Sequence, residues 1–488
     1  MNHKFYIITF CLLCLSLLTY AQPFRFIVAK DGSGTHTTIQ SAINDCPNNE
    51  RSLIFVKNGT YEEKVTIGTR TSKSLKLISL IGESVDGVIV TSADALGHGA
   101  TDVYGATTFA IYANDFYAEN ITFQNAAGNT GQALALDTEE DRQTFKNCRL
   151  LGYQDTYRSK KGRRYYFKDC FIQGATDFVY GGGTVFFDDC TINCVKGGGY
   201  VSAPEDITYY EKTTSGKTLR YGFIFRNCKI TANADVADNS YYLGRPWNME
   251  CGSIYLNCRM GKYIKPEGWS VWSGTNHLTA CFAEYNSMDL EGLPVDVSNR
   301  ASWSLQLTQD EVDTYLGMDH VYSKINSTTP YNSVATCAAP FAPTGLIRDG
   351  NSISWGAVDG VAGYLILRNG LFLTTTSETS YLDGTAQPNE NYTYSVKAVG
   401  LNGNLSAAAS IASSIKCVQT EEPYAFIRDG KIEISIPVDV TLTSLDGVSL
   451  SSKKECTSLS VNQLNAGIYI LQMADKAGII YIQKMQIK

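Results

Sequence analysis

At 488 residues, with 44% hydrophobic and 18% charged residues, 42 glycines and 30 tyrosines, the chain is too long for one ordinary core and too apolar for disorder. It reads as a β-leaning polypeptide of roughly two to four folding units. A net charge of −7 excludes the broad basic field of a nucleic-acid-binding protein, so a polyanionic partner would have to be met by local positive charge.

The first element in chain order is a leader pattern. Lys4 precedes an apolar run over residues 5–18, and Thr19-Tyr-Ala21 stands before Gln22, the layout of a signal peptide over residues 1–21. The run is shorter than the roughly 20 residues needed to span a bilayer, so export is expected. Of the 14 cysteines, Cys11 and Cys14 belong to this leader. The others lack the paired Cys-x-x-Cys spacing of a zinc site, so no metal is expected; free thiols and disulfides both stay open for them.

Further along, one short unit recurs. Phe145-Lys-Asn-Cys148-Arg-Leu150 is echoed by Phe167-Lys-Asp-Cys170-Phe-Ile172, Phe187-Asp-Asp-Cys190-Thr-Ile192, Phe225-Arg-Asn-Cys228-Lys-Ile230 and Tyr255-Leu-Asn-Cys258-Arg-Met260. The cysteines are 22, 20, 38 and 30 residues apart, a period near 20 with insertions, which marks a solenoid. Each unit alternates aromatic, Cys and aliphatic residues like a strand, and no helix-length amphipathic stretch lies between them. The expected fold class is all-β: a right-handed parallel β-helix with these side chains stacked in interior ladders. The longer gaps, around 203–220 and 232–240, are expected to be loops inserted between coils.

The same period links polar residues. Gln132 and Gln154 are 22 residues apart, as are Asp155 and Asp177. On a β-helix such residues stand on neighbouring coils, roughly 4.8 Å apart at the backbone, so two amides and two carboxylates would gather at one place. Adjacent positions 154 and 155 face opposite ways on an ideal strand, so the chain must bend there. Two close carboxylates should split their pKa values into an acid and a nucleophile or base, and the amides suit an oxyanion. An Asn/Asp turn pattern of purely structural use fits the spacing equally well.

The ordered set Gly59-Thr-Tyr61-Glu-Glu63, Gln132-Ala-Leu-Ala-Leu136, Gly152-Tyr-Gln-Asp-Thr156, Asp177-Phe-Val-Tyr-Gly181 and Leu243-Gly-Arg-Pro-Trp247 resembles the motifs of the pectinesterase (pectin methylesterase) family, over residues 24–316. The resemblance implies an enzyme that removes methyl esters from the C6 carboxyl of galacturonate in pectin, releasing methanol through an aspartyl acyl-enzyme. It implies that Asp177 is the nucleophile, that Asp155 is the acid and then the base, that Gln132 and Gln154 hold the oxyanion, and that Arg245 keeps Asp177 ionised. Trp247, Tyr180, Phe178 and Tyr153 would contact sugar rings, although Phe178 and Tyr153 suit core packing equally. The implied partner is methyl-esterified homogalacturonan, met by a monomer without cofactor and without nucleic acid. Leu134, Tyr157 and Tyr180 depart from the family's usual residues, and Asp137 stands where arginine is common. The basic run Ser159-Lys-Lys-Gly-Arg-Arg164 reads as a solvated turn. No Gly-x-Ser-x-Gly elbow is present for a serine hydrolase.

After about residue 336 the pattern changes to short alternating strands around Trp355, Tyr364, Tyr381, Tyr392 and Tyr394. Residues 337–415 are similar to a fibronectin type III module, expected as a small β-sandwich whose role is spacer or carbohydrate contact, with spacer favoured because the sequence identifies no exposed aromatic platform. Residues 416–488, with Leu445-Asp-Gly447 and Leu464-Asn-Ala-Gly-Ile-Tyr469, are expected as a second small β-sandwich; they are similar to the C-terminal sorting domains of the type IX secretion route, which makes a secretion machinery a further expected partner, and a sandwich with no sorting role is the alternative. The catalytic β-helix is expected over 22–336. Two other functions suit a β-helix with paired carboxylates: a pectin depolymerase, lyase or polygalacturonase-like, and a non-catalytic carbohydrate-binding surface protein.

Overall fold

Each coil of the repeat is built from three short strands. One coil runs through Gln143–Lys146, Arg149–Leu151 and Tyr157–Ser159, and the next through Arg164–Lys168, Phe171–Gly174 and Thr176–Gly181. In the computed structural model, residues 22–207, 209–387, 390–410, 423, 425–428, 430–445, 447–474 and 480–487 are described; the leader expected over 1–21 lies outside them. Corresponding strands of successive coils pair in parallel to give an 11-stranded first sheet, an 8-stranded second sheet and a 7-stranded third sheet, which together form the expected parallel β-helix.

The turn from first to second sheet explains the residue before each repeated cysteine. Asn147, Asp169, Asp189, Asn227 and Asn257 all adopt left-handed backbone, with φ between 46° and 55°. Asn and Asp tolerate this conformation better than other residues with a side chain. Phe145, Phe167, Phe187, Phe225 and Tyr255 then stack with ring centroids 4.6, 5.1, 4.7 and 4.4 Å apart. The repeated cysteines form a buried ladder of free thiols; among the described residues no cysteine is bridged. The interior is thereby close-packed by side chains of constant shape.

The short helix Ile39–Asp45 buries Ile39, Ala42 and Ile43 in the interior core of the first coils. The outer face of the first sheet is also apolar and has to be covered. Helices Gln309–Tyr315, Met318–Ile325 and Ser333–Cys337 pack there, with Tyr322 and Tyr331 among Tyr166, Phe186 and Ile224. The 205–222 insertion adds an antiparallel hairpin, Tyr210–Lys212 with Thr218–Arg220.

Residues 337–410 form two antiparallel sheets, one of three strands and one of four, around Ile353, Trp355, Tyr364, Ile366, Tyr394 and Val396. They were expected as a spacer, yet they belong to the same compact unit as the β-helix, which extends to Ile411. Phe372 stacks on Phe55 of the first sheet at 4.8 Å, and Leu365, Val399 and Leu405 share a core with Leu53, Ile81 and Tyr117. These residues thus lie over an apolar outer face of the first sheet, a contact that the spacer expectation does not include. The described residues of the second compact unit, from 423 onward, form a five-stranded antiparallel sheet. Its strand Lys431–Ser444 places Ile432, Ile434, Val438, Val440 and Leu442 on one buried face by simple alternation.

Candidate active site

The third sheet begins where Gln132, Gln154 and Thr176 align by parallel bridges. One residue beyond the second and third of these, Asp155 and Asp177 turn left-handed, with φ of 64° and 50°. This is the bend that the alternation of side chains requires: it returns the carboxylates to the side on which the glutamines stand. At Asp177 it coincides with a shift of register against strand Tyr200–Pro204, between Thr176 and Val179. The purely structural turn reading therefore describes the backbone correctly and misses where the side chains go.

Gln132, Gln154, Asp155, Asp177, Tyr180, Ala203, Arg245, Trp247 and Trp272 line one cavity of about 390 Å³. Arg245 grips Asp177 with both ends of its fork, Nε to Oδ1 at 2.9 Å and Nη2 to Oδ2 at 2.6 Å. The guanidinium is itself held over the rings of Tyr200, at 3.8 Å, and Trp272, at 4.0 Å. Gln132 Nε2 donates to Asp155 Oδ2 at 2.7 Å. Gln154's amide makes no hydrogen bond among the described residues and faces the same cavity.

Both carboxylates are buried, Asp155 at 3% and Asp177 at 6% exposure. Burial pushes Asp155 up to about 7, helped by the charge of Asp177 and opposed by the Gln132 hydrogen bond and by Arg245. Burial also raises Asp177, but there the Arg245 hydrogen bonds and charge pull the other way. The pair is thus unequal near neutrality: one group is poised to hold a proton, and the other is matched to a cation.

The expected ring contacts divide. Trp247 is 39% exposed and edges against Tyr180 at 6.0 Å, and both line the cavity. Phe178 does not. It is fully buried in the interior core, since the register shift after Asp177 turns its ring inward and Gly174 leaves the space: a Cβ there would lie 2.1 Å from that of Phe178. Tyr153 is half-buried and off the cavity wall. Trp272, absent from the expected set, stands on the wall; it lies three residues beyond Trp269 of the Pro266-Glu-Gly-Trp269 segment, the one sequence signal that could have pointed to it. The basic run is not a solvated turn throughout. Arg164 is 1% exposed and pairs with Asp141, while Lys160 and Lys161 border a second cavity beside the first. Among the described residues no cluster of three or more His, Cys, Asp and Glu could hold a metal.

Fold and cavity together define a parallel β-helix protein with two unlike buried carboxylates in one cavity. The chain belongs to the pectinesterase family, whose pattern matches residues 25–322. It is 33% identical over 302 residues to Pectinesterase 31 of Arabidopsis thaliana, covering 59% of this chain and 89% of that protein. It is 34% identical over 283 residues to the Probable pectinesterase/pectinesterase inhibitor 6 of the same plant, covering 57% of this chain but only 48% of that longer protein. Among solved structures, Pectin methylesterase from Carrot aligns with a TM-score of 0.55 at 27% identity, over 63% of this chain and 97% of that one. A pectin methylesterase from Aspergillus niger aligns at 0.50 and 26% identity, over 62% and 96%.

Proposed function

We propose that the protein hydrolyses the methyl esters of galacturonate residues in pectin, releasing methanol. The observation that carries this reading is the unequal carboxylate pair, with Asp177 ion-paired to Arg245 and Asp155 buried beside it, in a protein of the pectinesterase family.

Asp177 Oδ attacks the C6 carbonyl carbon, and the negative charge that develops on the carbonyl oxygen is met by the Gln154 amide and the second N–H of Gln132. Collapse breaks the bond to the methoxy oxygen, which takes the proton of Asp155 and leaves as methanol. The sugar remains bound to Asp177 as a mixed anhydride. Asp155, now ionised, takes a proton from water as that water attacks the acyl carbon, and a free galacturonate and the Asp177 carboxylate are released. Trp247 and Tyr180 offer ring surface to the sugars. All of these steps use the chain's own groups.

Export by the 1–21 leader, the fibronectin type III-like character of 337–410 and a sorting role for the C-terminal sheet complete the reading. The leader's charge and apolar pattern supports the first, the two-sheet arrangement around Trp355 and Tyr364 the second, and the Leu445-Asp-Gly447 segment the third. Asp177→Ala and Asp155→Ala are each expected to lower methanol release from methylated pectin by at least about a thousandfold while each variant still unfolds in one cooperative transition. Near-parental turnover by either variant would refute the assignment.

A further inference from the structure

Beside the catalytic cavity, and sharing Gln132, Tyr180 and Trp247 with it, lies a second cavity of about 520 Å³. Its cations come from Arg158, Lys160 and Lys161, which would suit an anionic sugar if they were free. They are not free. Asp137, fully buried, holds Arg158 bidentately at 2.9 Å through each oxygen. Glu139 pairs with Arg158 and also with Lys160, the latter at 3.3 Å, and Asp206 pairs with Lys161. Asp137, at a position where arginine is common in the family it resembles, thus carries the counter-ion that cancels the cavity's main cation.

One charge in the wall is left over. The Glu205 carboxylate lines the cavity and makes no hydrogen bond or ion pair among the described residues. Tyr180, which stands between the two cavities, has a hydroxyl without a partner among the described residues. Tyr104 completes an apolar and aromatic wall with Val103, its ring face taken by Arg70 at 3.5 Å. A free galacturonate carboxylate here would find its cations already paired and an unpaired carboxylate facing it; a neutral ester meets neither penalty.

We propose that this second cavity is a specificity subsite that takes a methyl-esterified galacturonate of the same pectin chain, and that Glu205 disfavours an already de-esterified neighbour there by charge repulsion. The inference rests on the esterase reading and extends it. The enzyme discriminates on the state of a sugar it does not cleave, working in densely esterified stretches and slowing as free acids accumulate, and its selectivity comes from a repulsive element as much as from contacts made. Arg158 in this scheme is a positioning residue whose charge is spent on Asp137.

The test is the ratio of kcat/KM for methanol release from sparsely esterified and from densely esterified homogalacturonan, measured at one ionic strength on the full mature chain, its Glu205→Gln variant and its Glu205→Lys variant. The parent ratio is expected to lie below one. Glu205→Gln should raise it about fivefold and Glu205→Lys further, and both increases should shrink in high salt. A ratio that stays within about twofold of the parent's in both variants would overturn the inference while leaving the esterase reading intact. A parent that releases no methanol from either polymer would overturn the esterase reading, and this inference with it. Because Glu205 is part-exposed, thermal midpoints near the parent's are expected, and the ratio is unaffected by any shared loss of folded protein.

Discussion

Asp155 and Asp177 stand on adjacent coils with the same formal charge, and their surroundings make them unlike. Arg245 holds Asp177 by two hydrogen bonds, so removing the cation should let Asp177, the proposed nucleophile, keep its proton to higher pH. Arg245→Ala is therefore expected to move the acid limb of the kcat/KM profile up by about one pH unit or more, and because Arg245 also restrains Asp155, the alkaline limb should move in the same direction. An unmoved acid limb would deny Arg245 its role. Asp155 also bears on stability. Its folded-state value of about 7 lies above that of an ordinary carboxylate, so its contribution is fully present below about pH 4 and is lost as pH rises through 7. The Asp155→Asn variant, which has nothing to ionise, should gain on the parent by up to about 4 kcal/mol between pH 4 and pH 8 in denaturant unfolding. Much of the site was legible from the interval of 22 residues, because a β-helix converts a constant sequence interval into proximity. Phe178 was not: whether a ring beside a catalytic residue faces in or out depends on the register shift after Asp177, and no residue type announces that shift.

At the scale of the coil, the repeated unit maps onto structure position by position. The aromatic residue stacks, the cysteine fills a narrow interior row, and the Asn or Asp before it makes the left-handed turn. Truncating Phe187, which stacks on both Phe167 and Phe225, should cost about 3–5 kcal/mol in denaturant unfolding. Asn227, at φ 55°, gives a sharper check. Asn227→Ala is expected to cost about 1 kcal/mol and Asn227→Gly clearly less, because glycine takes left-handed backbone without a side-chain penalty. Equal costs for the two would show that the side chain's contacts, and not the turn, select asparagine there. The ladders were legible because their period is regular. The 205–222 insertion was legible only as an interruption; its hairpin, and the delivery of Glu205 to the second cavity, depend on contacts with parts of the chain far away in sequence.

Over the whole molecule, the 22–411 unit joins a β-helix to a two-sheet module through an apolar contact that sequence patterning could not reveal, since Phe55 and Phe372 are 317 positions apart and share no period. Ending the chain at residue 338, just past the helix Ser333–Cys337, exposes Phe55, Leu53 and Ile81, so that shortened protein should melt at least about 5 °C below one ending at 411. Equal midpoints would return the module to the role of a spacer. The chemistry itself is decided by one comparison on the full chain, in which methanol and new reducing ends are counted together as methylated pectin is consumed. Methanol release at constant reducing-end number, abolished in Asp177→Ala, is the expected result. New chain ends or unsaturated sugars appearing without methanol would contradict ester hydrolysis by the Asp155 and Asp177 pair.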